Sequence, residues 1–177
     1  MNNKHEVIQA YKTILDALGF HGDHIEGTPE RVARMWENFT NPPSFISTTF
    51  TAKEKTGYII MKDHQCYSFC PHHLLPVKYN IKLGYLPSDN IILGLSKLAR
   101  ICDDQMRHMP VQEDLGGMVA RQVIQSVNPQ GVGVVIQGEH MCMQMRGVES
   151  HCASATTTFM WGVLLTDQSA REEVLLL

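Results

Sequence analysis

Apolar residues recur at helical spacing in two stretches near the start of the chain. The first stretch stops at Gly19, and its apolar side is formed by residues three or four positions apart, which are Val7, Tyr11, Ile14, Leu15 and Leu18. A second helix is predicted to begin with Thr28 as its N-cap and Pro29 at its first helical position. Residues 41–56 open with Asn-Pro-Pro and carry little pattern, so residues 1–56 are predicted to form a helical arm and linker.

Beyond Gly57 the pattern changes to short apolar and aromatic runs, which indicate strands, and helical spacing returns on either side of Pro110. The predicted elements are strands over 57–69 and 77–86, helices over 96–108 and 112–127, and strands over 132–137 and 154–165. Asp167 is suited to cap a short C-terminal helix. This ββααββ order predicts an α+β fold over residues 57–177, in which an antiparallel β-sheet carries two helices on one face.

The composition and charge limit the classes of function. The chain has 177 residues, of which 44% are hydrophobic and 19% charged, as expected for a globular domain with a substantial core. Its formal net charge of -3 supplies no basic field for nucleic acid or a membrane surface, and no apolar run approaches the roughly 18 residues of a membrane span. The first residues lack the apolar core of a signal peptide. We therefore expect a cytoplasmic protein whose five cysteines serve as metal ligands or free thiols.

Two short clusters place metal-type ligands at the ends of predicted strands. The first contains Cys70, His72 and His73, and the second contains His140 and Cys142. Thiolate and imidazole are preferred ligands of zinc, and three protein ligands leave the fourth position open for water, as in catalytic zinc sites. Cys70, His73 and Cys142 would form such a set, with the two other histidines beside the metal for proton transfer. A Cys-x-x-His pair also arises by chance, and ordinary thiols are expected at Cys66, Cys102 and Cys152.

Two further stretches suit an anionic ligand that contains a base. Lys97 and Arg100 share the face of a helix start, where an anion would offset the cost of placing cations near the positive end of the helix dipole. Gln112 and Glu113 begin the next helix, and a carboxylate can accept both N–H donors of a guanine edge. Each stretch also has a simpler interpretation, the first as a solvated basic helix start and the second as helix capping, and the residues alone leave both open.

Taken together, these stretches resemble the GTP cyclohydrolase I family, which are zinc enzymes of the tunnelling fold. The resemblance spans about residues 6–175 and rests on motifs in the family's order, which are Thr28 to Met35, Cys70-x-His72-His73, Gly94 to Arg100, Val111 to Glu113, Glu139 to Met143, Met145 to Val148 and Ser154 to Thr158. It implies hydrolytic opening of the imidazole ring of GTP, release of formate and reclosure to 7,8-dihydroneopterin triphosphate.

The resemblance also implies a role for each matching residue. The ligands of one Zn²⁺ per subunit would be Cys70, His73 and Cys142. The acid–base histidines would be His72 and His140, and the hydroxyl for the ribose steps would come from Ser96. The guanine would be bound by Gln112 and Glu113, and the triphosphate by Lys97, Arg100, Arg146 and, from the arm of a neighbouring subunit, Arg31. The family assembles as a toroidal homodecamer with active sites at subunit interfaces.

One position departs from the family's pattern. The family usually has glutamate between the cysteine and the first histidine, where this chain has Pro71. The loss of that carboxylate leaves alternatives to the full reaction: an enzyme that stalls at the formamide, one that acts on a related purine nucleotide, or a non-catalytic regulatory subunit. A tunnelling-fold nitrile reductase would leave the cysteine–histidine set unexplained. The pathway that uses the product, whether folate, tetrahydrobiopterin or 7-deazaguanine synthesis, is not specified by the sequence.

Overall fold

The computed structural model describes residues 3–176 and divides the chain into two compact units, with the division between Ser44 and Phe45. The first unit is a pair of packed helices, α1 (Lys4–Ala17) and α2 (Thr28–Thr40). Trp36 Nε1 donates to Tyr11 Oη at 2.9 Å, which ties the two helices together through their facing aromatic side chains. The two helices predicted near the start of the chain are therefore present.

The start of α2 differs from the prediction by one residue. Gly27, and not Thr28, is the N-cap, and it has a φ of 77°, in the left-handed region that glycine favours. Thr28 is thus already helical, and its Oγ1 accepts a hydrogen bond from Arg31 Nη2 at 2.6 Å instead of capping the helix. Pro29 lies in the first turn, as predicted.

The second unit is an α+β structure, as predicted. In chain order its elements are β1 (Thr49–Thr51), β2 (Ile59–Phe69), β3 (Pro76–Leu86), β4 (Ile91–Leu93), α3 (Leu95–Met106), α4 (Gln112–Val127), β5 (Gly131–His140), α5 (Met141–Gln144), β6 (Ala155–Gly162), α6 (Val163–Thr166) and α7 (Gln168–Leu176). The main sheet has the order β2-β3-β5-β6, and every neighbouring pair is antiparallel. Helix α3 packs on β2, and α4 packs on β5 and β6.

The core lies between the sheet and these two helices. Every second residue of β3 is buried, from Val77 through Tyr79, Ile81 and Leu83 to Tyr85. This alternation is what a strand with one covered face requires. Leu98 and Val119 are fully buried on the helix side. None of the helices in the described part of the chain combines the length and apolar character that a membrane crossing requires.

The short strands β1 and β4 form a second, two-stranded sheet that the sequence pattern does not predict. Residues 45–56, which the pattern grouped with the arm as a linker, therefore contribute a strand to the second compact unit. Tyr85 on β3 ties β4 to the main body, because its hydroxyl accepts a hydrogen bond from the backbone N–H of Leu93 at 2.8 Å.

The end of the chain covers the opposite face of the sheet. Strand β6 ends at Gly162, which has a φ of 65°, so the predicted extension to residue 165 is instead the short helix α6. Asp167 caps α7 as predicted, since its Oδ1 accepts a hydrogen bond from Ala170 N at 3.2 Å. Val174 of α7 packs close to Gly84 and Gly133, where a side chain on either glycine would meet it.

Candidate metal and nucleotide site

The first ligand cluster occupies the tight loop between β2 and β3. The carbonyl oxygen of Cys70 accepts hydrogen bonds from His73 N at 3.3 Å and from Leu74 N at 2.8 Å, and Cys70 N donates to Leu75 O at 2.8 Å. Pro71 therefore stands at the second position of a turn, where its fixed φ is favoured and its missing N–H costs no hydrogen bond. Proline at position 71 is therefore compatible with this loop.

The second cluster reaches the same end of the sheet through the strand register. His140, the last residue of β5, is paired with Val77 near the start of β3, directly after the loop that carries Cys70. Helix α5 follows at once and carries Cys142. The antiparallel pairing of β3 and β5 therefore brings together two clusters that are about 70 residues apart in sequence.

Three side chains converge at this point as the sequence analysis expected. One ligand atom each from Cys70, His73 and Cys142 lies within 4.8 Å of the others. The distance from Cys70 Sγ to His73 Nδ1 is 3.7 Å. Bonds of about 2.3 Å to sulfur and 2.0–2.1 Å to nitrogen at a tetrahedral angle would place two such atoms about 3.6 Å apart. The donor set therefore fits a tetrahedral zinc ion.

The electrostatics of this cluster favour a bound cation. Burial raises the pKa of the Cys142 thiol, the neighbouring Cys70 thiol raises it further, and the charge of Arg146 acts in the opposite direction. Two thiols in contact cannot both ionise without a compensating charge, and a divalent ion supplies that charge. Arg146 also donates to His73 Nε2. His72 lies beside the cluster, with its Nδ1 3.6 Å from Cys70 Sγ.

His140 is held by a buried amide. Gln112 is 4% exposed, and its Nε2 donates to Ala155 O at 2.9 Å and to Ile136 O at 3.2 Å. Its Oε1 is consequently the acceptor that faces His140 Nε2, at 2.7 Å. This contact places the hydrogen of the imidazole on Nε2 and leaves the lone pair on Nδ1. Burial lowers the pKa of His140, and the charge of Glu113 partly offsets this, so the ring is neutral at physiological pH.

Two residues that the sequence analysis did not single out shape this arrangement. The rings of Tyr79 and His140 meet edge to face, with centroids 5.9 Å apart. Gly138 lies between them and Gln112, and a Cβ at this position would collide with Gln112 Oε1 and come within 3.0 Å of His140 Nε2. The buried alternation of β3 could have indicated Tyr79. The need for glycine at 138 depends on the position of Gln112, which no local pattern reveals.

A cavity of about 260 Å³ opens beside the ligand cluster. Its walls bring together most of the predicted site, namely Cys70, His72, His73, Gln112, Glu113, His140 and Cys142, together with Pro71, Tyr79, Pro110 and Val111. Glu113 is exposed at the first turn of α4, directly after the buried Gln112. The cavity lining therefore combines thiols, imidazoles and a carboxylate.

Of the residues predicted to hold a triphosphate, Arg146 contacts His73 in the cavity lining, whereas those on α3 are not part of that lining. Ser96, Lys97 and Arg100 lie on the first turns of α3 and are not among the described residues that line it. Arg31 belongs to the first compact unit, where its guanidinium donates to Thr28 Oγ1 and to the carbonyl oxygens of His24 and Glu26. The predicted cations are thus distributed over several parts of one chain.

Comparison with known proteins shows the family of this chain. The sequence profile of the family described as GTP cyclohydrolase I matches residues 7–177. The chain belongs to this family. Enzymes of the GTP cyclohydrolase I family convert GTP to dihydroneopterin triphosphate, and this chain is an enzyme of that type with an α+β fold.

Individual relatives match over nearly the whole chain. GTP cyclohydrolase 1 of Caldanaerobacter subterraneus subsp. tengcongensis is 41% identical over 185 residues, a match covering 100% of this chain and 97% of that relative. GTP cyclohydrolase 1 of Aquifex aeolicus is 41% identical, with 98% and 95% covered. The Drosophila melanogaster relative is 38% identical and longer, with 96% of this chain and 54% of that protein covered. A solved archaeosine synthase QueF-Like structure has a TM-score of 0.48 at 14% identity over 62% of this chain and 97% of that chain.

Proposed function

We propose that this chain binds GTP, opens its imidazole ring with the help of one zinc ion, releases C8 as formate and recloses the product to 7,8-dihydroneopterin triphosphate. The observation that carries the proposal is the convergence of three ligand atoms, from Cys70, His73 and Cys142, beside His72 and His140 in one cavity. Two thiols and an imidazole favour zinc over magnesium or calcium.

The metal would be held by Cys70, His73 and Cys142, whose spacing fits a tetrahedral site. When bound there, zinc supplies Lewis acidity and activates water at neutral pH. With His73 Nδ1 as the ligand atom, His73 Nε2 would carry the hydrogen and would no longer accept one from Arg146. This exchange would release the guanidinium of Arg146 to bind phosphate, the role that the family resemblance implies for it.

The two other histidines would handle protons at the purine. His72 would donate to N7 of the guanine, because C8 becomes electrophilic only when N7 is protonated or hydrogen-bonded. His140 is neutral and has its lone pair on Nδ1, so it is ready to accept a proton and later return it. Hydrolysis of the formamide needs both directions of transfer. Ser96 would provide a hydroxyl for the later rearrangement of the ribose.

Base recognition would rest mainly on Glu113. Its carboxylate faces the cavity rim and can accept hydrogen bonds from N1–H and the exocyclic amine of guanine. Gln112 was expected to share this role, but both of its polar atoms are hydrogen-bonded within the protein. We therefore propose that the side chain of Gln112 orients His140. Its contact with the guanine base would be limited to forming part of the cavity wall.

The triphosphate would be bound across subunits. Lys97 and Arg100 do not line the cavity of their own chain, which is consistent with copies of the chain completing one another's sites. The toroidal homodecamer of the family provides such an arrangement. In that assembly, these lysine and arginine side chains would strengthen the binding of the triphosphate and fix its position, because contacts between charged groups and phosphate are strong and directional.

The test is mass spectrometry of the product formed by purified, zinc-loaded protein with GTP. The proposal predicts a product with the mass of dihydroneopterin triphosphate and one formate per turnover. A product that has gained water but kept the formyl carbon would show an enzyme that stops at the formamide. GTP left unchanged by assembled, zinc-loaded protein would contradict the proposal, and turnover of another purine nucleotide in the same assay would identify the substrate instead.

A further inference from the structure

A second group of metal-type ligands lies on β2 and α3, outside the cavity described above. Ligand atoms of His64, Cys66 and Asp103 all lie within 4.8 Å of one another. From the sequence, Cys66 is expected to be an ordinary thiol. Its neighbour two positions earlier, His64, is the signal that could have linked it to a site.

A distortion of β2 brings His64 into this group. In the pairing with β3, Met61 is opposite Leu83 and His64 is opposite Ile81, so three steps along β2 match two along β3. Asp63 adopts a φ of 54°, in the left-handed region that is uncommon for residues other than glycine. Without this β-bulge, Asp63 would occupy the face on which Met61 packs into the core. The bulge instead turns His64 to the side of the sheet covered by α3.

The next positions on the same face continue the contact with α3. Cys66 is two residues beyond His64 and 6% exposed, and Ser68, two residues further, donates to Met106 O at 2.7 Å. Asp103 is three positions before Met106 on α3 and therefore lies on the same side of that helix. His64 Nε2 and Asp103 Oδ1 are 2.9 Å apart. A strand and a helix thus present nitrogen, sulfur and oxygen ligands to one point.

The geometry points to a second zinc site, formed by His64, Cys66 and Asp103, that fastens the bulged part of β2 to α3. Imidazole, thiolate and carboxylate are all zinc ligands. A zinc ion between His64 and Asp103 needs about 3.4 Å between their ligand atoms, so the carboxylate, which is 49% exposed, must move by roughly 0.5 Å. The site is separate from the first ligand group, since Cys66 and Cys70 are four residues apart, roughly 13 Å for extended backbone.

The environment of Cys66 distinguishes this proposal from a reactive cysteine. Burial raises the pKa of its thiol to about 12, with a further contribution from the charge of Asp103. Without a metal the thiol therefore stays protonated and chemically inert at neutral pH. Zinc binding would displace that proton to solvent, so the affinity for zinc should increase with pH.

The experiment is a count of zinc per chain by elemental analysis, after the assembled protein has been equilibrated with buffered zinc. The wild type is expected to hold two ions per chain, and Cys66→Ala and His64→Ala one each. Cys102→Ala is the matched control, because Cys102 is a buried thiol next to Asp103 but outside the ligand group, and it should keep two. Cys142→Ala should also hold one ion, and its combination with Cys66→Ala none.

These outcomes separate the two sites. One ion in the wild type that Cys66→Ala retains would overturn the second site and leave the proposed active centre standing. The second site would also be overturned if the wild type holds two ions and both Cys66→Ala and His64→Ala still hold two. If Cys142→Ala keeps both ions, the proposed active centre fails instead.

A substitution at a half-exposed position provides a test that remains valid if the variants at buried positions fail to fold. Asp103→Asn changes a half-exposed residue and should weaken zinc binding at this site at least tenfold. In a Cys142→Ala background, cobalt in place of zinc should give a thiolate-to-metal charge-transfer band that disappears with Cys66→Ala. Unchanged affinity in Asp103→Asn together with an unchanged cobalt spectrum in Cys66→Ala would contradict the proposal.

Discussion

A single methyl group added at Gly138 should disturb His140, the proposed acid–base histidine, without touching a proposed metal ligand. In Gly138→Ala the new Cβ would collide with Gln112 Oε1 and lie 3.0 Å from His140 Nε2 and 2.9 Å from Tyr79 Cε1. Gln112 is 4% exposed and cannot swing into solvent. The hydrogen bond between Gln112 and His140 must therefore break or distort.

The expected magnitude follows from that contact. Overpacking a filled site costs about 1–3 kcal/mol of stability. A positioned acid–base group contributes about 10²–10⁴-fold to rate, and losing its orientation forfeits part of this. We expect kcat for GTP to fall about 10- to 100-fold, equivalent to about 1.4–2.7 kcal/mol, with a smaller change in KM. The pH profile of kcat should also change, because His140 loses the acceptor that fixes its tautomer.

The assay is steady-state formation of dihydroneopterin triphosphate, on protein shown to be folded and zinc-loaded. Gly133→Ala is the matched control: it lies on the same strand, five residues away, and its Cβ would meet Met160, Val174 and Leu164 at 3.1–3.3 Å. It should lower stability and leave kcat within about twofold of the wild type, since no acid–base group is near. A folded Gly138→Ala protein with wild-type kcat and pH profile would refute the role assigned to the Gln112–His140 pair.

Other predictions address the metal, the base, the core and the loop. Cys142→Ala should lose the zinc of the active centre and all turnover, whereas Cys152→Ala, an exposed thiol, should retain both; full zinc occupancy and activity in Cys142→Ala would exclude it as a ligand. Glu113→Gln should lower kcat/KM for GTP by about 10- to 100-fold and that for ITP, which lacks the exocyclic amine, by less; equal losses would argue against base recognition. Burial raises the pKa of the Cys102 thiol from its ordinary value of 9.0, so the folded protein keeps this proton at a pH where the unfolded chain loses it. The contribution of this thiol to the free energy of unfolding should therefore be complete below pH 9 and decrease above it. Cys102 contributes about 1.4 kcal/mol per pH unit to this fall, and Cys102→Ala should lower the slope by that amount in urea titrations between pH 8 and about 10, with the buried Cys66 thiol supplying part of the slope that remains; an unchanged slope would count against this cause. Pro71→Glu places a carboxylate in the turn between Cys70 and His72 and should fold with unchanged zinc binding, because the turn position accepts many residues; loss of zinc there would show that the loop depends on proline.

The sequence predicted those parts of the fold that local pattern specifies. Strand β3 alternates buried and partly exposed residues from Pro76 to Leu83, and α3 and α4 have the spacing of helices covered on one side. Strands β1 and β4 span only three residues each, too few to show a period, so their pairing was not predicted. The N-cap at Gly27 was also missed, because threonine is ordinarily preferred at that position and the left-handed backbone conformation that glycine adopts here is not visible in the sequence.

The site divides in the same way. The cluster on the β2–β3 loop is local, and residues such as His73 could be assigned from spacing and family resemblance. The partners of Gln112 could not, because they depend on a register that joins α4 to the ends of β5 and β6, 24 to 45 residues away. The bulge at Asp63 is likewise invisible in the sequence, since it arises from how β2 pairs with β3. Local chemistry was predictable, and the contacts that orient it were not.

The most direct test of the central claim follows the fate of C8 in GTP that is isotopically labelled at that carbon. With zinc-loaded wild-type protein, the account predicts that the label leaves entirely as formate, one equivalent for each dihydroneopterin triphosphate formed, and that Cys142→Ala releases none. Label retained in a ring-opened formamide, or left in unreacted GTP by the assembled and zinc-loaded wild type, would contradict it.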